Sequence, residues 1–106
     1  MVTRSRRINF DAVNRVALTN LAALLRRWLP NGRIIGTEYV VRNPLRDDRH
    51  LGSFKINISN GRWGDFACGA AGGDIVSLVA YLIGAPQGEA ALKLAADLGV
   101  DPYDIN

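Results

Sequence analysis

The residues that could carry chemistry are few in this chain of 106 residues: one cysteine, Cys68, and one histidine, His50. A thiol becomes a useful nucleophile when a base lies beside it, so an enzyme built on this pair would need the two side chains to meet. Nothing in their spacing brings them together, which favours a loop histidine and a small half-buried thiol. Asp47 and Asp48 stand between two arginines, which predicts a solvated charge cluster instead of an acid–base pair. A binding protein is therefore expected, not an enzyme.

Cys68 opens the stretch CGAAGGD, whose glycines run straight into an apolar helix pattern. Such a loop is a phosphate cradle, a metal knuckle or the remains of one. Helix N-termini attract anions, but the Walker and G-x-G-x-x-G patterns are both absent. Asp74 would also place a negative charge where a phosphate should lie. A structural role is therefore expected, in which the glycines make a tight exit from a strand and Asp74 caps the next helix.

The charge is distributed unevenly, although the net charge is only +3. Up to Trp63, twelve Lys and Arg residues stand against four acidic residues, whereas from Gly64 onward one lysine stands against six. A basic half is typical of a surface that binds a polyanion, although a solvated surface of uneven composition gives the same count. No secretory signal or bilayer-length apolar run is found, and a lone cysteine suits a reducing compartment, so a cytoplasmic protein without membrane contact is expected.

Apolar periodicity predicts the elements of the first half. A basic flexible arm, residues 1–7, precedes a single domain, residues 8–106. Two short helices follow, the first capped by Asp11 and the second starting at Asn20. The segment PNGR ends the second helix, because proline and glycine oppose its continuation.

The second half begins with a strand over RIIGTEYVVRNP. In SFKINISNGRWGDFA the alternating apolar residues predict a hairpin, with a type I′ turn at Asn60-Gly61. Two helices then start at Asp74 and near Pro86, and Gly99 ends the last one. The order predicts an α+β fold, a small antiparallel sheet flanked by N-terminal helices and two C-terminal helices.

In order and spacing, the segment from about Asn20 to Val100 resembles the N-terminal zinc-ribbon domain of bacterial, phage and plasmid DNA primases. The motif counterparts are NPLR at 43–46, SFKI at 53–56, the SNGRW hairpin, FACG at 66–69, GGDIVSLVAYL at 72–82 and EAALKLAADLGV at 89–100. No single piece is specific, but the ordered set is. The resemblance implies a zinc-ribbon-like module for template recognition, because in that family the polymerising chemistry lies in a separate domain.

The zinc ligands of that family are missing from this chain. Aligned on the Gly-Gly-Asp at 72–74, the four ligand positions fall on residues that are not ordinary zinc ligands: Asn43, Arg46, Phe66 and Gly69. Cys68 then lies one position before a ligand position. The resemblance therefore implies a degenerate, metal-free zinc finger without a cofactor. Two replacements for the zinc stay open: Phe66 fills the vacated space apolarly, or the long apolar helices, including Trp28, enlarge the core.

Basic residues near the predicted sheet form the candidate nucleic-acid site, because basic charge suits phosphates and flat rings suit bases. The candidates are Arg42, Arg46, Arg49, Lys55, Arg62 and Trp63. Phe54 is expected in the core, whereas for Trp63 both the core and base stacking stay open.

Two functions from different classes remain open. The first is a single-stranded DNA-binding module in the replication of a plasmid, phage or integrated element, working with a replicative helicase or a primase catalytic domain. It is either free-standing or a fragment of a longer protein. The second is a protein-interaction module that has lost both zinc and DNA binding and docks through its acidic helical half.

Overall fold

The computed structural model describes residues 7–46 and 53–103, which form four helices and one five-stranded antiparallel sheet. The helices are α1 (Phe10–Thr19), α2 (Leu21–Trp28), α3 (Ile75–Ile83) and α4 (Gln87–Leu98). The strands, in both chain and spatial order, are β1 (Arg33–Ile35), β2 (Glu38–Val41), β3 (Phe54–Asn57), β4 (Trp63–Asp65) and β5 (Ala71–Gly72). The predicted α+β fold, with helices on both sides of the sheet in sequence, is confirmed.

Side-chain caps fix where two of the helices begin. Asn9, not Asp11, caps α1, since its Oδ1 accepts the Ala12 N–H at 3.0 Å and Asp11 lies in the first turn. Asparagine and aspartate are nearly equal as caps, so the sequence alone could not separate two candidates this close. Asp74 caps α3 as predicted, with its Oδ1 accepting the Ser77 N–H at 2.8 Å.

The segment RIIGTEYVVRNP forms a hairpin of two strands, β1 and β2, and not the single strand that the sequence predicts. Its turn falls at Gly36-Thr37, and Ile34 pairs with Tyr39 across it. Apolar, strand-favouring residues stand on both sides of the turn, so composition alone does not show that the segment is two strands and not one. This hairpin gives the sheet its outer strand β1.

The predicted hairpin of β3 and β4 is present, but its turn is not type I′. A type I′ turn needs positive φ at both central residues. Gly61 has φ +79°, whereas Asn31 is the one non-glycine residue with positive φ in the described ranges. The Asn57 side chain organises a longer turn, because its Oδ1 accepts the N–H groups of Ser59 and Asn60 at 2.8 and 3.1 Å.

One face of the sheet is buried against the helices through aromatic rings. Phe54 and Trp63 meet edge to face at 6.2 Å between centroids, and the Trp63 ring lies 5.0 Å from that of Tyr81 in α3. The Trp63 indole N–H donates to the Ser77 hydroxyl at 2.9 Å. Gly72 faces this pair, and a Cβ there would collide with the indole and with Ser77. The close approach of β5 to α3 therefore requires glycine.

The two ends of the described chain meet at one place. Ile8 and Tyr103 form an isolated antiparallel bridge, and the Asn9 N–H donates to the Pro102 carbonyl at 2.7 Å. Of the predicted basic arm only Arg7 belongs to the described residues, and it is exposed. In the described ranges no single helix has the length and apolarity to cross a membrane; only the pair α3 and α4, bent by 105°, passes by length and composition.

Candidate nucleic-acid interface

The sheet face opposite the aromatic core is termed the open face. Strand alternation and cross-strand register determine its members. Val40 pairs with both Arg33 and Lys55, Lys55 pairs with Gly64, and Gly64 pairs with Ala71. Apart from Val40, these residues are half-buried or exposed. The register places Val40 between Arg33 and Lys55, whose aliphatic stems can shield it.

A shallow groove of about 470 Å³ lies on the open face along β4, from the turn before this strand to Phe66 just after it. Three of its lining side chains can contact a nucleic acid directly: Lys55, Arg62 and Phe66. Phe66 is 80% exposed, the highest value among the large hydrophobic side chains described, and the Lys55 ammonium lies 5.5 Å from its ring centroid. Glu38 lines the groove as well, so the groove combines two basic side chains and one acidic side chain with an accessible flat ring.

The sequence predicts Phe66 as a filler of the vacated metal site and does not single it out as an exposed ring. That prediction is wrong, because the ring is exposed on the sheet surface. The signal was available in the strand alternation. Trp63 points inward, Gly64 outward and Asp65 inward, so the next side chain points outward.

Trp63 is not an available stacking platform. It is 7% exposed, and its ring and its indole N–H are both engaged by α3. Phe54 is fully buried, as expected.

The basic candidates fall into three groups. Arg42, Lys55 and Arg62 are exposed or half-buried on or beside the open face. Arg46 is turned instead toward a buried carboxylate, to which its Nε donates at 3.0 Å. Arg49 and His50 lie outside the described residues.

Asp65 is the centre of a buried polar network that ties the loop after β2 to the loop after β4. Its Oδ2 accepts hydrogen bonds from the Asn43 side-chain amide at 2.8 Å and from the Arg46 Nε at 3.0 Å. The Asn43 amide also donates to the Tyr81 hydroxyl at 2.8 Å, which joins α3 to the network. The Arg46 Nη2 reaches the Ser53 hydroxyl at 3.4 Å.

The network holds Asp65 as a carboxylate. Burial alone would raise the pKa of this carboxyl, since desolvation disfavours charge. Hydrogen bonds from Asn43, from the Ala67 N–H and from Arg46, together with the positive charge of Arg46, outweigh burial and lower the pKa from 3.8 to about 2. The pKa of Tyr81 is raised: burial raises it most, the hydrogen bond from Asn43 lowers it in part, and the neighbouring Cys68 and Asp65 raise it further.

The two loops joined by the network have the same local geometry. The Asn43 Oδ1 accepts the N–H of Leu45, and the Asp65 Oδ1 accepts the N–H of Ala67, in each case two residues on. In each loop the carbonyl of the first residue also accepts the N–H three residues on, from Arg46 in one loop and Cys68 in the other. Asn43–Arg46 and Asp65–Cys68 are therefore equivalent turns.

This equivalence corrects the sequence alignment by one residue. The positions that face each other are those of Asn43, Arg46, Asp65 and Cys68, with the Cys68 Sγ 3.9 Å from the Tyr81 hydroxyl that Asn43 contacts. Phe66 and Gly69 lie outside this set. The alignment anchored on the glycines at 72–73 names Phe66 and Gly69, each one residue later than the pair that faces Asn43 and Arg46.

The residues at the four corrected positions do not fit a zinc ion. Arg46 brings a permanent positive charge, Asn43 offers a neutral amide, and only Asp65 and Cys68 are of ligand type. Across residues 7–46 and 53–103 there is no group of three or more His, Cys, Asp and Glu side chains that could hold a metal. The guanidinium of Arg46 and the carboxylate of Asp65 make the cross-link between the two loops.

Cys68 can be replaced at little cost. Its side chain is exposed and makes one long contact, with the Tyr81 hydroxyl at 3.9 Å. Cys68→Ser is expected to change the free energy of unfolding by no more than about 0.5 kcal/mol, as is usual for exposed substitutions. Urea denaturation followed by tryptophan fluorescence measures this. A loss of several kcal/mol would show that the thiol is a structural member of the network.

Comparison with solved structures supplies a fold relative. The chain is similar to part of the crystal structure of the Aquifex aeolicus primase, which holds that protein's zinc-binding and RNA polymerase domains. The TM-score is 0.70 and the sequence identity 24%, over 94% of this chain and 23% of the primase chain. No protein-family model matches the sequence, and no curated protein matches it. This chain therefore has the fold of a segment that makes up about a quarter of that primase chain.

Proposed function

We propose that this chain is a single-stranded DNA-binding module related to the template-recognition part of primases, and not an enzyme. The observation that carries the proposal is the exposed Phe66 ring beside Lys55, in a groove that Arg62 also lines. Single-strand binding proteins combine such charge with rings on which bases stack. The shared fold with part of a primase supports the proposal.

Five of the side chains that line the groove have a role in this proposal: Lys55, Asn57, Asn60, Arg62 and Phe66. Lys55 and Arg62 contact phosphates inside the groove, and Arg42 extends the positive surface beyond it. A base stacks on Phe66. The side-chain oxygens of Asn57 and Asn60 accept hydrogen bonds from backbone N–H groups of the turn. Their amide nitrogens are left to donate to a base edge.

The proposal places the module in the cytoplasm, in the replication of a plasmid, phage or integrated element. Its partners are single-stranded DNA and a replicative helicase or primase catalytic domain that supplies the chemistry. Arg46 has no direct DNA contact in this proposal, since from the loop after β2 its guanidinium binds Asp65, the residue before Phe66. Arg49 follows that loop in sequence and stays a candidate for phosphate contact.

Titration with a fluorescent single-stranded oligonucleotide at low salt tests the charge component. Binding is expected to weaken with salt by about 0.7 log units per log unit for each phosphate neutralised. The double variant Lys55→Glu/Arg62→Glu should bind more weakly and show a shallower salt slope. The matched charge control is Arg15→Glu/Arg26→Glu, at exposed positions of α1 and α2. Its oligonucleotide binding should show the same salt slope as that of the parent protein.

Phe66→Ala tests the stacking component. It is expected to weaken oligonucleotide binding by about 1–3 kcal/mol with an unchanged salt slope. Because the ring is exposed, the free energy of unfolding should stay within about 0.5 kcal/mol of the parent value. Phe10→Ala, at another exposed phenylalanine, is the control. No binding by the parent protein at tens of micromolar would reject the proposal and favour the protein-interaction module.

A further inference from the structure

Two adjoining cavities form a second groove, distinct from the open-face groove and sharing no lining residue with it. They have volumes of about 450 and 270 Å³, and both are lined by Trp28, Leu29 and Pro44. The groove runs from the end of α2 over the loop after β2 to the C-terminal end of α3. We call it the Trp28 groove.

One end of the Trp28 groove is aliphatic. It is lined by Leu45 and Ile83, which are 51% and 43% exposed, with Val79 and Leu82 behind them. Side chains of this size are usually buried, and neighbouring ones that are left exposed on a concave surface mark a docking site. Lys93 and Asp97 border this end with opposite charges, so it has no net charge.

The other end of the Trp28 groove is positively charged. Arg33 and Arg42 both line it and are exposed, and none of the described residues that line this cavity is acidic. Within the described ranges neither arginine forms an ion pair. Two guanidinium groups without a partner are typical of a surface that receives carboxylates, which they bind through paired hydrogen bonds.

From this polarity we propose that the Trp28 groove binds an acidic peptide segment of a partner protein that carries large apolar side chains. Carboxylates pair with Arg33 and Arg42, and leucine- or phenylalanine-type side chains enter the aliphatic end by Leu45 and Ile83. The half-buried Trp28 lies between the two ends and contacts both parts of the segment. Arg42 takes part in both proposals, but the aliphatic end of the Trp28 groove and the Phe66 ring of the open face each belong to one of them alone.

The aliphatic end favours a peptide over a nucleic acid. Phosphates would satisfy the two arginines equally well, but a strand that continued along the groove would meet Leu45, Leu82 and Ile83. These side chains offer no donor for a phosphate and no flat ring for a base. Apolar anchors beside complementary charge are the common pattern of peptide recognition.

Panning a phage-displayed library of random linear peptides against the immobilised protein tests the proposal. Enriched sequences are expected to join Asp or Glu to Leu, Phe or Trp. Synthetic peptides of the enriched sequences should then bind about tenfold more weakly to Arg33→Glu and to Ile83→Glu. Leu92→Glu, at an exposed apolar residue outside the groove, and Phe66→Ala should bind as the parent does. Circular dichroism of each variant shows whether a loss of binding comes from a loss of folding. Leu45→Ser is a milder change at the same end of the groove, for use if Ile83→Glu does not fold.

Three results would overturn the proposal. The first is an absence of enriched peptides, or the enrichment of basic ones. The second is acidic peptides that bind folded Ile83→Glu or Leu45→Ser unchanged. The third is full competition by an oligonucleotide that is itself sensitive to Ile83→Glu, which would assign the groove to nucleic acid. Since Phe66→Ala affects only oligonucleotide binding, a failure here is distinguishable from a failure of the DNA-binding proposal.

Discussion

The triple variant Asn43→Cys/Arg46→His/Asp65→Cys is expected to bind one zinc ion per chain. With Cys68 it presents three cysteines and one histidine from two equivalent turns that already face each other. Their spacing, two residues between the ligands of each pair, is that of structural zinc sites. An apparent binding free energy of about 10 kcal/mol is expected, at the lower end of the range for structural zinc.

Elemental analysis and cobalt substitution measure this, because cobalt in a tetrahedral thiolate site gives characteristic visible absorption. The variant should lose its fold in chelator and regain it with zinc. The parent protein should contain no stoichiometric zinc and keep its fold in chelator. Asn43→Ser/Arg46→Gln/Asp65→Ser is the matched control and should take up no metal. A triple variant that purifies folded but metal-free would refute the corrected ligand positions.

Asp65→Asn is expected to lower the free energy of unfolding by about 3 kcal/mol at neutral pH. The substitution leaves Arg46 without its carboxylate, and breaking a buried ion pair costs about 3–5 kcal/mol. The lower end applies because the Arg46 side chain is 28% exposed, whereas that of Asp65 is fully buried. Asp97→Asn, at an exposed carboxylate on α4, is the control and should change stability by less than about 0.5 kcal/mol.

The contribution of Asp65 should also depend on pH. Its pKa is about 2 in the folded protein, below the ordinary value of 3.8 for an aspartic acid. A lowered pKa stabilises the fold when the carboxyl is ionised, so the contribution is complete above about pH 4 and is lost as the pH falls toward 2. The pH-dependent part of the free energy of unfolding that Asp65 contributes amounts to about 2 kcal/mol. Urea denaturation of parent and Asp65→Asn between pH 2 and 7 should show their difference shrink below about pH 4; a constant difference would contradict the network as described.

The network also explains how the candidate interface is positioned. Asp65 directly precedes Phe66, and the Phe66 N–H donates to the Ser53 carbonyl at 3.0 Å. Fixing the Asp65 side chain inward therefore fixes the direction of the Phe66 ring. The loop cross-link and the exposed ring are two consequences of a single strand register.

The sequence by itself determined the features that depend on neighbours in the chain. The alternation of Phe54, Ile56 and their polar neighbours predicted β3, and the 3.6-residue spacing after Asp74 predicted α3. Caps, periodicity and breakers act over a few residues, so one sequence suffices to read them. The α+β class followed from the order of these elements.

Only the tertiary structure decided which side chains meet. Asn43 and Asp65 are 22 residues apart, and Tyr81 is 38 residues from Asn43, so no local pattern joins them. The alignment on the Gly-Gly pair was displaced by one residue in the second turn. Because strand side chains alternate, one residue of displacement exchanges the two faces of the sheet. That exchange put Phe66 inside and left Asp65 without a role, whereas the folded chain buries Asp65 at the centre of the loop cross-link and exposes Phe66 on the open face.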